Sequence, residues 1–150
     1  MIFICQYLEL GNCFSYILQT YQCLLHIGDR YSLNGGANII NPRNTFIGKD
    51  VIIDSIYPED IIIEEGVVIT ARCIVLSHFV GIENNKRVFY RGKVVIKNNT
   101  FIGCNTVICK PVTIGDHCVI GASSVVTHDI PSWEIWAGNP AKLIRKRTKD

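Results

Sequence analysis

Neither charge is in excess in this chain. Its 150 residues include 15 Lys or Arg and 13 Asp or Glu, a formal net charge of +2. So even a balance lacks the bulk field that draws proteins to nucleic acid, and no nucleic-acid partner is expected. The seven cysteines (positions 5, 13, 23, 73, 104, 109 and 118) form no CxxC pair and are odd in number. They read as free thiols packed as small apolar groups in a reducing, cytoplasmic setting. Cys104, Cys109, His117 and Cys118 lack the clustered spacing of a zinc site, so no metal is expected. No Lys or Arg precedes Arg30 and no small-residue cleavage pattern follows, which argues against a secretory signal. Glu9, Asn12 and Gln19 interrupt any 20-residue apolar span, so no integral membrane segment is expected. Ile17, Leu18, Tyr21, Leu24 and Leu25 share a helical face ahead of Gly28, and residues 1–40 are expected to form a short cap.

What the chain does have is a period of six. Ile96, Ile102, Ile108, Ile114, Ile120 and Val126 form one unbroken run; Ile63, Ile69 and Val75 form another, and Ile47 with Ile53 a third. A helix wants apolar residues at spacings of three and four, and a half-buried strand wants every second one. Six suits a short extended segment followed by a corner. Three segments make a triangular coil of about 18 residues that stacks on the next through strand hydrogen bonds. The grid residue points inward, where β-branched side chains pack well. Four residues after each grid position the side chain is small: Val67, Cys73, Thr100, Thr106, Val112, Cys118 and Ser124. Gly48, Gly103, Gly115 and Gly121 follow grid residues directly, as a tight or positive-φ corner would favour. The expected fold is an all-β solenoid in one domain, residues 1–150. Residues 1–40 are the cap, 41–131 the coil, and 132–150 a closing turn and tail with a short helix near Lys142–Arg147.

Ile102-Gly103-Cys104-Asn105-Thr106-Val107, Ile114-Gly115-Asp116-His117-Cys118-Val119 and Ile120-Gly121-Ala122-Ser123-Ser124-Val125 resemble hexapeptide repeats. The family so resembled is the hexapeptide acyltransferases, and the resemblance implies a left-handed parallel β-helix assembled as a homotrimer. The closing segments Ser124-Val125-Val126-Thr127-His128-Asp129-Ile130-Pro131 and Ala137-Gly138-Asn139-Pro140-Ala141-Lys142 resemble the maltose, galactoside and streptogramin O-acetyltransferase branch. It covers about residues 45–145.

Two breaks interrupt the grid. Between Val75 and Ile96 a polar insertion, about Phe79 to Lys93, loops out of the coil. Between Ile53 and Ile63 lies Tyr57-Pro58-Glu59-Asp60. Polar loops leaving a rigid scaffold often carry function. His78 stands at the mouth of the larger one. An imidazole titrates near neutral pH and suits proton removal from an alcohol. The position also resembles that of the family's catalytic histidine, although Phe79 and Val80 stand where relatives often carry an acidic or polar residue. His117 reads as an outward corner residue. Ser77 is discounted as a nucleophile, because neighbouring side chains on a strand point apart.

The resemblance implies acetyl-CoA as acyl donor. It places Phe101 as an aromatic wall, Cys104 and Ala122 against the pantetheine arm, Thr127 and His128 further along it, and Lys142 and Arg145 near the phosphates. Asp54 matches a polar residue that orients the acceptor. Trp133 and Trp136 read as packing of the closing turn over the last coil. The expected function is O-acetylation of a sugar hydroxyl, in surface polysaccharide synthesis, with His78 as general base. A γ-carbonic-anhydrase-type hydratase would need three converging imidazoles, and only His78 is in a suitable place. A non-catalytic scaffold or binding protein is the alternative.

Overall fold

In the computed structural model, residues 44–149 are described in full, together with the backbone of 26–27 and 38–39. The expected helical cap otherwise lies outside the described residues. Strands are short: β1 (His26–Ile27), β2 (Asn38–Ile39), β3 (Phe46–Ile47), β4 (Ile52–Ile53), β5 (Ile61–Ile63), β6 (Val68–Ile69) and β7 (Ile74–Val75). After them come β8 (His78–Glu83), β9 (Lys86–Arg91), β10 (Val94–Ile96), β11 (Phe101–Ile102), β12 (Val107–Ile108) and β13 (Val112–Ile114). The last are β14 (Val119–Ile120), β15 (Val125–Val126), β16 (Glu134–Ala137) and β17 (Lys142–Lys146).

All strands but β8 and β9, which pair with each other, form three sheets, ordered β1-β3-β6-β11-β14-β16-β17, β13-β10-β5-β2 and β15-β12-β7-β4. From β5 onward, leaving aside β8 and β9, the chain visits the three in rotation up to β15, and pairing within each is parallel. Partners differ by 18 in number late in the chain, as Val94 with Val112 and Val107 with Val125. Across the larger break they differ by 33, and across the smaller by 22.

Every grid residue is buried, none above 2% exposed. The small residues of the corners are buried with them. The two threonines satisfy the next coil's carbonyls: Thr100 Oγ1 donates to Gly115 O at 2.8 Å and Thr106 Oγ1 to Gly121 O at 3.2 Å. The core is thus an aliphatic ladder closed at the corners by hydroxyls with partners. The glycines act by close approach. A Cβ on Gly103 would meet the Ala122 nitrogen at 2.5 Å, and one on Gly115 the Ser132 nitrogen at 2.4 Å. Positive φ falls two residues later instead, on Asp50, Asn105, His117 and Ser123.

Two expectations need correction. The insertion is an ordered antiparallel hairpin, with β8 and β9 paired from His78–Arg91 to Glu83–Lys86. Asn84 and Asn85 turn it at φ 48° and 59°, the left-handed pair a two-residue hairpin turn requires. The closing segment is a strand and not a helix: β17 runs antiparallel to β16, with a register shift at Ile135/Trp136. A helix of six residues is marginal alone. The open edge of β16 offers unpaired backbone donors and acceptors, and this segment takes them.

Candidate functional site

The site grows from the corner that follows β4 and β7. Parallel pairing sets Ile53 beside Val75, and the Asp54 N–H donates to Val75 O at 2.9 Å. The first residues of both breaks therefore lie on adjacent coils. Asp54 is 4% exposed. Its Oδ1 accepts the Ile56 N–H at 2.9 Å, and its Oδ2 accepts the Ser77 N–H at 2.9 Å, the Ser77 hydroxyl at 2.7 Å and His78 Nδ1 at 2.5 Å.

Burial alone would disfavour the Asp54 charge. The bonds from Ile56, His78 and Ser77 outweigh it and bring the carboxyl from 3.8 down to about 2. An ionised carboxylate only accepts hydrogen bonds, so His78 Nδ1 carries the proton. In the neutral ring this tautomer puts the lone pair on Nε2, and the half-buried His78 side chain is 28% exposed. The pair can orient an imidazole and draw a proton from a bound hydroxyl.

Ser77 and His78 do not diverge as strand alternation suggested. Both reach one carboxylate oxygen, because the chain leaves the coil between them to enter the hairpin. Ser77 is fully buried and its hydroxyl also contacts the Tyr57 carbonyl at 3.1 Å.

Sequence reasoning assigned no role to Tyr57, Glu59 and Asp60. Arg91, the cross-strand partner of His78, forms ion pairs with Asp60 and Glu59 in the 3-10 turn Pro58–Asp60. Its Cζ lies 4.3 Å from the Tyr57 ring centroid. Tyr57 meets the His78 ring edge-on, with centroids 6.3 Å apart at 71°. The Arg91 hydrogen bonds, then its charge, hold the Asp60 carboxyl below its ordinary value.

The residues assigned to the donor spread over two corners and a face. Thr127 and His128 follow β15, at the corner that His78 leaves after β7; Thr127 Oγ1 lies 2.8 Å from His128 Nδ1. Cys104 and Ala122 stack at the preceding corner, where Ser123 N donates to Cys104 O at 2.7 Å. The Thr70 hydroxyl, ahead of Ala71 and Arg72, draws the Cys104 thiol below its ordinary value. Phe101, 41% exposed, lies on the outer face of its sheet. The same register column runs through Val119 and Ile135 to Arg145. Lys142 and Arg145 are exposed on β17, and among the described residues neither forms a salt bridge. Ala71, Cys104 and Ala122 form a column of small side chains at this corner, with Arg72 beside Cys104, and exposed cations stand at the sheet's end. Small walls and unpaired cations suit a slender arm ending in phosphates.

His117 stacks on Trp133, centroids 4.2 Å apart, with Arg147 and Lys149 near the indole. Trp136 packs on the core and donates Nε1–H to Glu134 at 2.8 Å. Among the described residues no group of three metal-ligating side chains converges, and no helix is long and apolar enough to cross a membrane.

Residues 93–128 match the family described as bacterial transferase hexapeptide (six repeats). The galactoside O-acetyltransferase of Escherichia coli (strain K12) is 34% identical over 128 residues, 85% of this chain and 56% of that protein. This chain thus spans little more than half of that relative, and it covers smaller shares of other curated relatives, such as 28% of an Agrobacterium fabrum chloramphenicol acetyltransferase. Among solved structures, a hexapeptide-repeat acetyltransferase of Vibrio cholerae in complex with acetyl coenzyme A superposes with a TM-score of 0.62. The alignment covers 95% of this chain and 81% of that one at 21% identity, and it bears on the fold alone. A polySia-specific acetyltransferase superposes with a TM-score of 0.59 at 29% identity, over 81% of this chain and 47% of its own.

Proposed function

We propose, for a chain that carries the hexapeptide repeat of bacterial transferases and is related by sequence to their acetyltransferases, that it transfers an acetyl group from acetyl-CoA to a sugar hydroxyl. The observation that carries this reading is the buried Asp54 carboxylate bonded to His78 Nδ1 where the coil opens into the hairpin. His78 Nε2 is the general base. It removes the hydroxyl proton as the acceptor oxygen attacks the thioester carbon, and the proton then passes to the departing thiolate. The thioester supplies an acyl carbon activated enough that no covalent enzyme intermediate is needed. Holding both reactants in place contributes up to roughly 7–11 kcal/mol in favourable cases, and a placed base a further factor of about 100 to 10,000. Ser77 serves the carboxylate and is too buried to attack. Asp54 faces inward, which suits it to orient His78 better than to touch the acceptor.

In this reading the coil is left-handed. Phe101, Cys104, Ala122, Thr127 and His128 line the donor's arm, and Lys142 and Arg145 meet its phosphates. The acceptor is a polysaccharide sugar and the enzyme works in the cytoplasm as a homotrimer. The trimer is supported by apolar side chains left exposed on one hairpin face, Val80 at 53%, Ile82 at 77% and Phe89 at 75%. His78→Ala tests the base. Thioester release on a sugar panel should fall at least about 100-fold, with circular dichroism and sedimentation unchanged. Parent-like turnover in that variant would refute the assignment.

A further inference from the structure

The two breaks in the repeat are tied together a second time, away from Asp54. We propose that Arg91 and Tyr57 are positioning residues: they form a clamp that fixes the plane of the His78 imidazole. The inference rests on the reading of His78 as the base only for its functional consequence; the clamp itself is a geometric claim.

Opposed residues on an antiparallel pair project to the same side, so Arg91 and His78 leave the foot of the hairpin together. Their side chains do not pair with each other. The Arg91 guanidinium instead turns to the 3-10 turn, where Nε and one terminal nitrogen bond the Asp60 carboxylate and that terminal nitrogen also pairs with Glu59. The planar fork of arginine can hold Asp60 through two nitrogens while its face lies on an aromatic ring, which a lysine cannot do. Tyr57 occupies that face at 4.3 Å and stands in a T-shaped pair with the His78 ring. The Tyr57 carbonyl then accepts the Ser77 hydroxyl that also serves Asp54. A closed circuit results: Asp54 fixes one ring nitrogen, Tyr57 flanks the ring, Arg91 holds Tyr57, and Asp60 with Glu59 holds Arg91.

The circuit answers a physical need. A two-stranded hairpin is marginal on its own, so its foot must be anchored by tertiary contacts. His78 is the first residue of the strand leaving the coil, where a small pivot of the hairpin moves the imidazole most directly. One hydrogen bond to Asp54 sets the Nδ1 direction and leaves rotation about that bond. An aromatic ring set at a steep angle against the imidazole removes that freedom. Displacement of about 1 Å in a reacting group can cost about 100-fold in rate.

The test uses Arg91→Gln, Tyr57→Leu and Tyr57→Phe in the full chain, with three readouts. The 15N signals of the His78 ring report tautomer and exchange broadening without any acceptor. Thermal unfolding reports stability. Kinetics of acetyl transfer to a sugar acceptor report kcat and the KM for acetyl-CoA. Arg91→Gln and Tyr57→Leu should broaden or average the His78 signals and lower kcat about 10-fold or more, with KM within about 2-fold. Tyr57→Phe, which keeps the ring, should behave as the parent. Parent-like His78 signals in both Arg91→Gln and Tyr57→Leu would overturn the clamp, whatever happens to stability. If Arg91→Gln fails to fold, Tyr57→Leu decides alone. Altered signals with unchanged kcat would keep the clamp and remove His78 from the chemistry.

Discussion

Asp54→Asn is the sharpest perturbation of this site. The carboxylate accepts two backbone N–H groups, one hydroxyl and the imidazole, in a position 4% exposed. An amide keeps one oxygen and places an NH2 where the other stood. Whichever way it turns, it faces a donor, Ile56 N–H on one side or Ser77 and His78 on the other. A buried N–H left without a partner costs about 1–3 kcal/mol. The charge is worth a similar amount. The fall from 3.8 to about 2 corresponds to roughly 2 kcal/mol of folding stability. Because the folded value is the lower one, that stability is present in full above pH 3.8 and is lost as pH falls through 2.

The parent should therefore exceed Asp54→Asn by about 3–5 kcal/mol at pH 7. The gap should narrow by roughly 2 kcal/mol as unfolding in urea is repeated from pH 5 down toward pH 2. Transfer should fall further than stability explains. Without the carboxylate the imidazole can place its proton on Nε2, where it cannot act as a base, so kcat should drop about 100-fold or more at little change in KM for acetyl-CoA. Equal pH dependence of unfolding in the two proteins, or a kcat within about threefold of the parent, would refute the reasoning.

Lys142→Ala with Arg145→Ala should raise the KM for acetyl-CoA roughly tenfold, as expected for lost charge-assisted bonds to phosphate, and leave kcat alone; an unchanged KM in steady-state kinetics would remove both from the donor site. Added salt should raise the parent's KM in the same direction. Cys104 should react with iodoacetamide well before buried Cys73 and Cys118, whose thiols burial pushes up, and acetyl-CoA should slow it. Mass spectrometry of the alkylated peptides checks both points, and modification of Cys104 at one rate with and without acetyl-CoA would place the arm elsewhere.

The coil was legible because its cause is local. Each of Ile96, Ile102, Ile108, Ile114, Ile120 and Val126 repeats one demand, a β-branched side chain inside a narrow interior, and six repetitions leave one period that fits. The hairpin was also legible in principle. Asn84-Asn85 between Ile82 and Val88 is a left-handed turn signal between apolar runs, and its polar flanks masked it as a loop. The strand Lys142–Lys146 was not legible from its own residues, since its conformation is imposed by the free edge of Glu134–Ala137. His78 could be singled out from its position, whereas its tie to Asp54 could not. The break between Ile53 and Ile63 is not a multiple of six, so counting cannot set one coil against the next. Tyr57 and Arg91 were beyond reach for a further reason, because the direction of a guanidinium 34 residues away is fixed by tertiary contact alone.

The position of the site follows from the weakness of a repeat as a scaffold for chemistry. Coils separated by 18 residues present equivalent side chains at equivalent places, so no coil by itself can make one position unlike the rest. Uniqueness has to come from insertions. Two that fell on different corners would yield two isolated loops. Here both follow strands of the same sheet, β4 and β7, which pair in register 22 residues apart. The first break thus supplies a buried anion, an aromatic ring and an acidic turn, and the second supplies an imidazole and a guanidinium to meet them. On the third coil the chain passes the same corner through Lys110-Pro111, and β12 and β13 follow each other without an insertion. The charged circuit therefore occurs at one level of an otherwise uniform ladder, and the irregular residues of the sequence are the ones that make it.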